Sequence, residues 1–279
     1  MGKFDRVLIF SDIDGTYLDE HRRPVPRNNE AIRRFQAEGG TFTIATGRMA
    51  TNTPHAVPDI RELANFPVLI CNGTCVYDYR EGKALYSFFM EPGTVSPILD
   101  FVSERYPEVA IRANVPDGFV YPVEHPLHLR DGRRHPWDYR LLPREEWDLS
   151  QIYKLVLRSE DYAMLDAVQN EILPIFGNAV EIIRSEIGIL EVQKKGTSKG
   201  STIDLIRTAL KERGTPKTIF CIGDYGNDLA MLRVADYAAC PENAIDSVKA
   251  VATIHLCHCN DGAVADLIDY IEAHPELLS

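Results

Sequence analysis

The feature that most constrains the fold is a short apolar run that ends in two carboxylates and a glycine. Residues 7–16 read VLIFSDIDGT, so Asp12 and Asp14 follow the apolar residues and Gly15 follows the acids. A short apolar run with β-branched members is typical of a buried strand, and a glycine beside an acid indicates a turn. In open α/β sheets, ligands bind outside the carboxyl ends of the strands. The run therefore predicts an α/β fold with both carboxylates at the binding edge of its sheet.

Two neighbouring acids at a strand end also predict chemistry. Close carboxylates repel each other, so they stay ionised together only beside a cation, or they act as a base and a proton donor. The alternative interpretation is a solvated Asp-Gly turn that closes an ordinary strand. We favour the chemical interpretation, which the rest of the chain can test.

A second strand is predicted at residues 41–45, and Thr46, Gly47 and Arg48 follow it. A hydroxyl at a strand end and a glycine that lets the backbone come close suit an anion site. The planar guanidinium of Arg48 matches the geometry of a phosphate group. A simple turn at the end of a strand would have the same composition, so this segment alone does not decide between an anion site and a turn.

A third strand is predicted at residues 218–222, and it leads into the sequence GDYGND at residues 223–228. Asp224 and Asp228 are spaced four apart across a strand-to-helix turn, and their carboxylates are the hard oxygen ligands that Mg²⁺ prefers. We expect Asn227 to contact the phosphate group of a substrate. For Asp228 the alternative role is that of a cap for the helix predicted from Leu229.

One lysine is placed where an anion would bind. A helix is predicted from about residue 201 to 211, with Ser198 or Thr197 as its N-cap. Lys199 would then lie at the start of the helix, where free N–H groups and the helix dipole also favour an anion. Lys195 is the alternative candidate, and Lys194 is expected to be solvated.

Together these segments resemble the four motifs of the haloacid dehalogenase superfamily of phosphotransferases. Residues 12–16 match DxDGT, Thr46 matches motif II, Lys199 matches the lysine of motif III, and residues 223–228 match GDxxND, in the order of the family. The resemblance implies a nucleophilic role for Asp12 and a general acid/base role for Asp14. It also implies that Thr46 and Lys199 hold the phosphoryl group. Four motifs in the right order are far more specific than any one of them.

The same resemblance implies a metal cofactor, Mg²⁺. Its expected ligands are the carboxylates of Asp12, Asp224 and Asp228 and the backbone carbonyl of Asp14. Asp228 would act directly or through a water molecule.

The spacing of the motifs predicts two domains. Strand and helix patterns alternate near both ends of the chain, which argues for a doubly wound, Rossmann-like parallel sheet formed by residues 1–92 and 192–279. Some 150 residues separate Thr46 from Lys199, too many for a few crossover connections. We therefore expect an inserted α+β domain at residues 93–191, with Pro92-Gly93 as a linker. Its position matches the type IIB cap of the Cof-like phosphatases, which form subclass IIB of the superfamily.

Composition limits the partners. The net charge is −11, which weighs against nucleic acid or an anionic membrane as a partner. No apolar run is long enough to span a bilayer, a signal peptide is not expected, and six scattered cysteines suggest reduced thiols, so we expect a cytoplasmic protein. An arginine- and tryptophan-rich segment at residues 127–147 could face the substrate, but we favour an exposed loop.

These observations predict a Mg²⁺-dependent phosphatase that hydrolyses a small phosphorylated metabolite, with a sugar phosphate as the expected substrate class, through an aspartyl-phosphate. A phosphomutase on the same scaffold and a non-catalytic phosphate-binding regulatory protein are the alternatives. Nothing in the sequence fixes the oligomeric state.

Overall fold

A computed structural model describes residues 2–127, 129 and 139–278. The chain divides into two compact units. One unit, here called the core, comprises residues 1–47, 53–85 and 198–279, and the other, here called the insert, comprises residues 48–52 and 86–197. No helix of the described residues is long and apolar enough to cross a membrane.

The core contains a parallel sheet and seven α-helices among its described residues. The five strands of the sheet are β1 (Val7–Ser11), β2 (Thr41–Ile44), β12 (Thr218–Ile222), β13 (Tyr237–Cys240) and β14 (Ile254–His255), in the spatial order β14-β13-β12-β1-β2. Its longer helices are α1 (Pro26–Ala37), α6 (Lys199–Glu212) and α9 (Ala263–Ala273). Shorter helices are α2 (Thr53–Ala56), α3 (Ile60–Leu63), α7 (Leu229–Val234) and α8 (Asp246–Lys249). Of these, α2 and α3 lie between the second and third strands of the chain.

The burial of β1 explains why the fold is doubly wound. All five of its residues are buried, although alternate side chains of a strand point to opposite faces. Leu8 and Phe10 share one apolar cluster with Ile203 of α6 and Met231 of α7. Helix α1 packs against α9 elsewhere in the core. A strand that is buried on both faces at the centre of a parallel sheet is typical of this fold class.

A small antiparallel sheet continues the core sheet at its β2 edge. It consists of β3 (Val68–Ile70), β4 (Cys75–Asp78) and β5 (Lys83–Ser87). Ala45 bridges to Leu69 in parallel fashion just after the end of β2. The end of β3 is therefore brought to the same edge as the ends of β1 and β2.

The insert has one six-stranded sheet and two long helices among its described residues. The strands are β6 (Ala110–Val115), β7 (Gly118–Tyr121), β8 (Tyr139–Leu141), β9 (Lys154–Arg158), β10 (Val180–Glu186) and β11 (Ile189–Lys194), in the order β10-β11-β9-β6-β7-β8. The pairing is antiparallel except between β7 and β8. Helices α4 (Pro92–Arg105) and α5 (Tyr162–Phe176) contribute to one apolar cluster with the sheet.

Two expectations about the insert need comment. Pro92 and Gly93 are not a linker, because they form the first turn of α4, where proline is well tolerated. In the arginine-rich segment, Arg140 pairs with Asp117 and Arg144 with Asp100, whereas Trp147 is buried. Arg130, Arg133, Arg134 and Trp137 lie outside the described residues.

Candidate active site

The two acids of the first motif lie where β1 ends. The N–H of Asp12 donates to the carbonyl of Ile222 at 3.0 Å, so the pairing with β12 continues one residue beyond the strand. The chain then turns through Gly15, whose φ is +76°. A Cβ atom on Gly15 would lie 2.5 Å from Oδ2 of Asp224, so a larger residue would displace that carboxylate. The turn thus brings the first and fourth motifs into contact.

Three carboxylates meet at this edge. Oxygen atoms of Asp12, Asp224 and Asp228 all lie within 4.8 Å of one another, and this is the one such group of possible metal ligands in the described part of the chain. Thr16 Oγ1 donates to Asp224 Oδ1 at 2.9 Å. Oxygen-only donors in this arrangement suit a hard divalent cation such as Mg²⁺.

Asp228 is fixed by the loop that precedes it. Its Oδ2 accepts the N–H groups of Asp224 and Tyr225 at 2.9 and 3.1 Å, and the side chain is fully buried. These N–H groups belong to the turn and not to α7, so the carboxylate closes the turn and does not cap the helix that follows.

Lys199 reaches the carboxylates from the first residue of α6. Ser198 is the N-cap, and a reciprocal pair of hydrogen bonds with Ser201 fixes the start of the helix. Lys199 Nζ donates to Asp12 Oδ1 and to Asp228 Oδ1, each at 2.6 Å, and the side chain has no exposed surface.

The other two lysines of the motif III region lie elsewhere. Lys195 Nζ lies 3.4 Å from a carboxylate oxygen of Glu181, and half of its side chain is exposed. Lys194 pairs with Glu91 at 2.8 Å, also with an exposed side chain. The structure thus brings Lys199, and not Lys195, to the carboxylates.

If all three carboxyl groups were ionised, the cluster would have more negative than positive charge. Burial raises the pKa of Asp12 to about 7. The nearby Lys199 lowers this pKa, but the negative charges of Asp228 and Asp14 partly offset its effect. Burial, together with Asp228 and Asp12, raises the pKa of Asp224 to about 8. Burial would lower the pKa of Lys199, but its two carboxylate partners raise it well above the usual value. Lys199 is therefore protonated, and one ammonium faces three carboxyl groups.

The end of β2 adds the predicted phosphate ligands of the second motif. The N–H of Ala45 donates to the carbonyl of Ser11, and the N–H of Thr46 donates to Leu69, both at 2.8 Å. Thr46 is buried at the edge where β1 also ends. Arg48 begins the segment 48–52, which belongs to the insert, and its predicted role stays a prediction.

Gly47 and Asn227 lie against the same side chain, that of Asn72. Asn227 Nδ2 donates to Asn72 Oδ1 at 3.0 Å. A Cβ atom on Gly47 would lie 3.2 Å from that same oxygen. Asn72 was not among the predicted site residues, although an Asn-Gly pair is a turn signal that the sequence shows.

Asp14 lies in the turn after Asp12 and is partly exposed. Its carboxylate is not part of the three-acid cluster. The turn is held from the C-terminal part of the chain, because Asn243 Nδ2 donates to the carbonyl of Gly15 at 2.8 Å. Asn243 Oδ1 in turn accepts the N–H of Cys259 at 3.0 Å. Asn243 is a second residue that the predicted site did not include.

Comparisons with known proteins give consistent results. The family model described as haloacid dehalogenase-like hydrolase matches residues 9–268. The chain is 26% identical to the pyridoxal phosphate phosphatase YbhA of Escherichia coli (strain K12), over 96% of this chain and 98% of that protein. It is also 26% identical to the 5-amino-6-(5-phospho-D-ribitylamino)uracil phosphatase YwtE of Bacillus subtilis (strain 168), over 93% and 96% of the two chains.

The fold has solved counterparts. The structure of a haloacid dehalogenase subclass IIB sugar phosphatase superimposes with a TM-score of 0.79 at 21% sequence identity. That superposition covers 95% of this chain and 98% of the other. It shows that this chain, with its inserted α+β unit, has the same fold as that protein.

Proposed function

Because the chain belongs to the haloacid dehalogenase-like hydrolases and is a phosphatase of that superfamily, we propose that it is a Mg²⁺-dependent enzyme that hydrolyses phosphate esters of small polar metabolites. One observation carries this proposal. The ammonium of Lys199 bonds both Asp12 and Asp228 inside a group of three carboxylates at the carboxyl ends of β1 and β12. Buried charges in such excess are unfavourable unless a ligand compensates them.

The residues fit Mg²⁺. The carboxylates of Asp12, Asp224 and Asp228 and the backbone carbonyl of Asp14 would hold it, because all of these ligands are oxygens. When bound, the ion would neutralise excess charge, so that the anionic nucleophile and the phosphate dianion can approach each other.

Asp12 forms the covalent bond to phosphorus, and Asp14 transfers the protons. Oδ1 of Asp12 is occupied by Lys199, so Oδ2 is the oxygen that attacks phosphorus. A bond forms between Oδ2 and phosphorus as the bond to the ester oxygen breaks, and Asp14 gives its proton to that oxygen. Water then attacks phosphorus, Asp14 takes a proton from it, and the bond to Asp12 breaks. The net reaction converts an ester and water into an alcohol and inorganic phosphate.

The other predicted residues hold the phosphoryl group while charge moves. Lys199 and the hydroxyl of Thr46 would stabilise its equatorial oxygens, because fixed donors need no reorganisation during the reaction. Gly47, Arg48 and Asn227 would bind the phosphate group.

The substrate class rests on the names of related proteins and on the domain organisation. Two relatives are named after pyridoxal phosphate and a phosphoribitylamino-uracil, and a structural counterpart is named a sugar phosphatase. These names support a small, polar phosphate monoester, with sugar phosphates as the leading class. We assign selection of the substrate to residues 93–191. Six free cysteines support a reducing, cytoplasmic location.

A phosphate-release screen tests the proposal. The purified chain is assayed with sugar phosphates, pyridoxal phosphate and p-nitrophenyl phosphate, in Mg²⁺ and after treatment with EDTA. We expect release that EDTA abolishes, that Mg²⁺ restores and that Ca²⁺ supports poorly, because the looser coordination of Ca²⁺ spoils in-line geometry. Full activity after exhaustive chelation would contradict the metal assignment. Turnover that requires a bisphosphate activator would identify a mutase, and no turnover of any ester would indicate a binding protein.

A further inference from the structure

The turn that follows β3 has an unusual backbone. Cys71, Asn72 and Gly73 have successive φ values of +52°, +57° and +88°. Only glycine adopts this left-handed region without a steric penalty, so two of the three residues are strained. All three are buried. Strain of this kind persists where the surroundings hold it in place, and it is concentrated at functional sites.

The turn contacts three of the four segments that carry the predicted site. The N–H of Asn72 donates to the carbonyl of Thr46 at 2.9 Å. Asn72 Oδ1 accepts from Asn227 Nδ2 at 3.0 Å. Thr202 Oγ1, in α6, donates to the carbonyl of Gly73 at 2.7 Å. The second, third and fourth motifs are thus joined through a turn whose residues have no assigned role.

The contact with α6 is close. A Cβ atom on Gly73 would lie 2.3 Å from the carbonyl oxygen of Ser198, the N-cap residue directly before Lys199. Only glycine can occupy this position without moving the helix that carries the lysine.

The side chain of Asn72 sets the orientation of a second amide. Because Asn227 Nδ2 donates to it, the carboxamide of Asn227 is held in one orientation beside Asp228. A glycine at position 72 would give the same backbone with less strain. What asparagine adds is the acceptor oxygen that Asn227 uses.

We infer that Asn72 is a positioning residue, which fixes the carboxamide of Asn227 for the phosphoryl group. This inference rests on the proposed phosphatase function. Asn72 stabilises the transition state through Asn227, and the strained turn keeps its oxygen at the required place.

The first test is Asn72→Gly, which removes the acceptor and relieves the strain. We expect a melting temperature that is unchanged or higher, with kcat lowered about 10- to 100-fold, because misplacement of a phosphate ligand by an ångström has an effect of this size. A purely structural residue would lower the melting temperature, and that result would overturn the inference. So would a kcat within twofold of the wild type.

Arg22 provides a matched control. It also has a left-handed φ, of +61°, but it is exposed, in a turn that lies outside the four motifs. Arg22→Gly should give a similar gain in stability with unchanged kcat. A comparable loss of kcat in this variant would show that relief of strain itself, and not the lost acceptor, lowers the rate.

A double-mutant cycle tests the route of action. In an Asn227→Ala background, Asn72→Gly should lower kcat by less than twofold, because its partner is already absent. Additive losses would show that Asn72 does not act through Asn227 and would overturn the inference. The wild-type assay separates failure of the proposed function from failure of this inference. A wild type that hydrolyses no ester refutes the proposed function and this inference with it. An active wild type with a fully active Asn72→Gly refutes the inference alone.

Discussion

Among the described residues, each unit of the molecule buries one lysine completely, and the two lysines have opposite surroundings. In the insert, Lys154 Nζ donates to Glu191 Oε2 at 2.7 Å, and Ser185 Oγ donates to the other oxygen of that carboxylate at 3.0 Å. This ion pair carries no net charge. In the core, Lys199 faces Asp12 and Asp228, with Asp224 close by.

The difference distinguishes a structural ion pair from a site. A balanced, hydrogen-bonded pair can remain buried without any ligand. One ammonium cannot balance three ionised carboxylates, so the carboxyl groups either hold protons or bind a cation. Charge balance therefore separates the two buried lysines more clearly than burial or bond length, which are nearly the same for both.

The largest effect is expected for the nucleophile. Asp12→Asn replaces the attacking oxygen by an amide of nearly the same shape, so kcat should fall by about 10⁴-fold or more while the protein stays folded. Steady-state kinetics and circular dichroism measure the two quantities. Substantial turnover by a folded variant would show that Asp12 does not form the covalent bond.

Breaking the ion pair of the insert should lower stability and leave kcat nearly unchanged, the opposite of the result expected for Asp12→Asn. Glu191→Gln leaves the Lys154 ammonium without its counter-charge, so the free energy of unfolding should fall by about 3–5 kcal/mol. The kcat for p-nitrophenyl phosphate should change little. Replacing both partners by apolar residues, Lys154→Met with Glu191→Leu, should recover most of the stability. Equal losses in the single and double variants would show that the pair does more than balance charge.

The loss of rate on replacing Asp14 should increase with the basicity of the leaving group. Asp14→Asn should lower the rate about 10²- to 10⁴-fold with a sugar phosphate, because the departing alkoxide needs a proton. The loss should be much smaller with p-nitrophenyl phosphate, whose leaving group is stable as an anion. The ratio of the two rates checks this role, and equal losses for both substrates would assign the proton to another group.

The smallest effect concerns pH and the metal-free protein. Folding raises the pKa values of Asp12 and Asp224 from 3.8 to about 7 and about 8. Between the unfolded and the folded pKa values, the folded state therefore binds more protons than the unfolded state. Without metal, the free energy of unfolding should therefore fall as pH rises from about 4 to about 8. Mg²⁺ competes with protons for the same oxygens, so its stabilising effect should grow over this range.

Urea denaturation at several pH values, in EDTA and in Mg²⁺, measures this effect. Asp12→Asn should flatten the fall in the metal-free protein, since one of the two titrating groups is gone. Metal-free stability that rises through this pH range would contradict the assignment of buried, proton-binding carboxyl groups.

Much of the core could be predicted from the sequence because its elements have strong local patterns. Strand β12 begins and ends where the apolar run predicted it, and the family and the doubly wound fold with a IIB insert are confirmed. The error at Pro92-Gly93 has a local cause. Both residues are turn signals, but proline also suits the first turn of a helix, and the burial of Val95 and Ile98 in the insert favoured the helix.

The site was predictable only where its residues carry a motif. Asp12, Lys199, Asp224 and Asp228 were named from the sequence, and they lie together, while their catalytic roles remain predictions. Asn72 and Asn243 were not predicted as site residues, because each contacts a partner that is remote in sequence. Asn72 contacts Asn227, 155 residues away, and Asn243 contacts Gly15, 228 residues away. No local period or cap signal encodes such a pairing.

The pairing of β1 with β12 has a consequence for how the chain is made. Val7 lies beside Thr218, so the central strand waits for more than two hundred residues of synthesis before its second neighbour is available. The insert is contiguous apart from the short segment 48–52. All six of its strands can therefore pair before the last quarter of the chain has emerged from the ribosome. Contacts of such long range slow folding, whereas domains that are complete can fold as they emerge. We therefore expect nascent chains to acquire a protease-resistant insert first, and to expose the apolar β1 to chaperones until the GDYGND segment has left the exit tunnel.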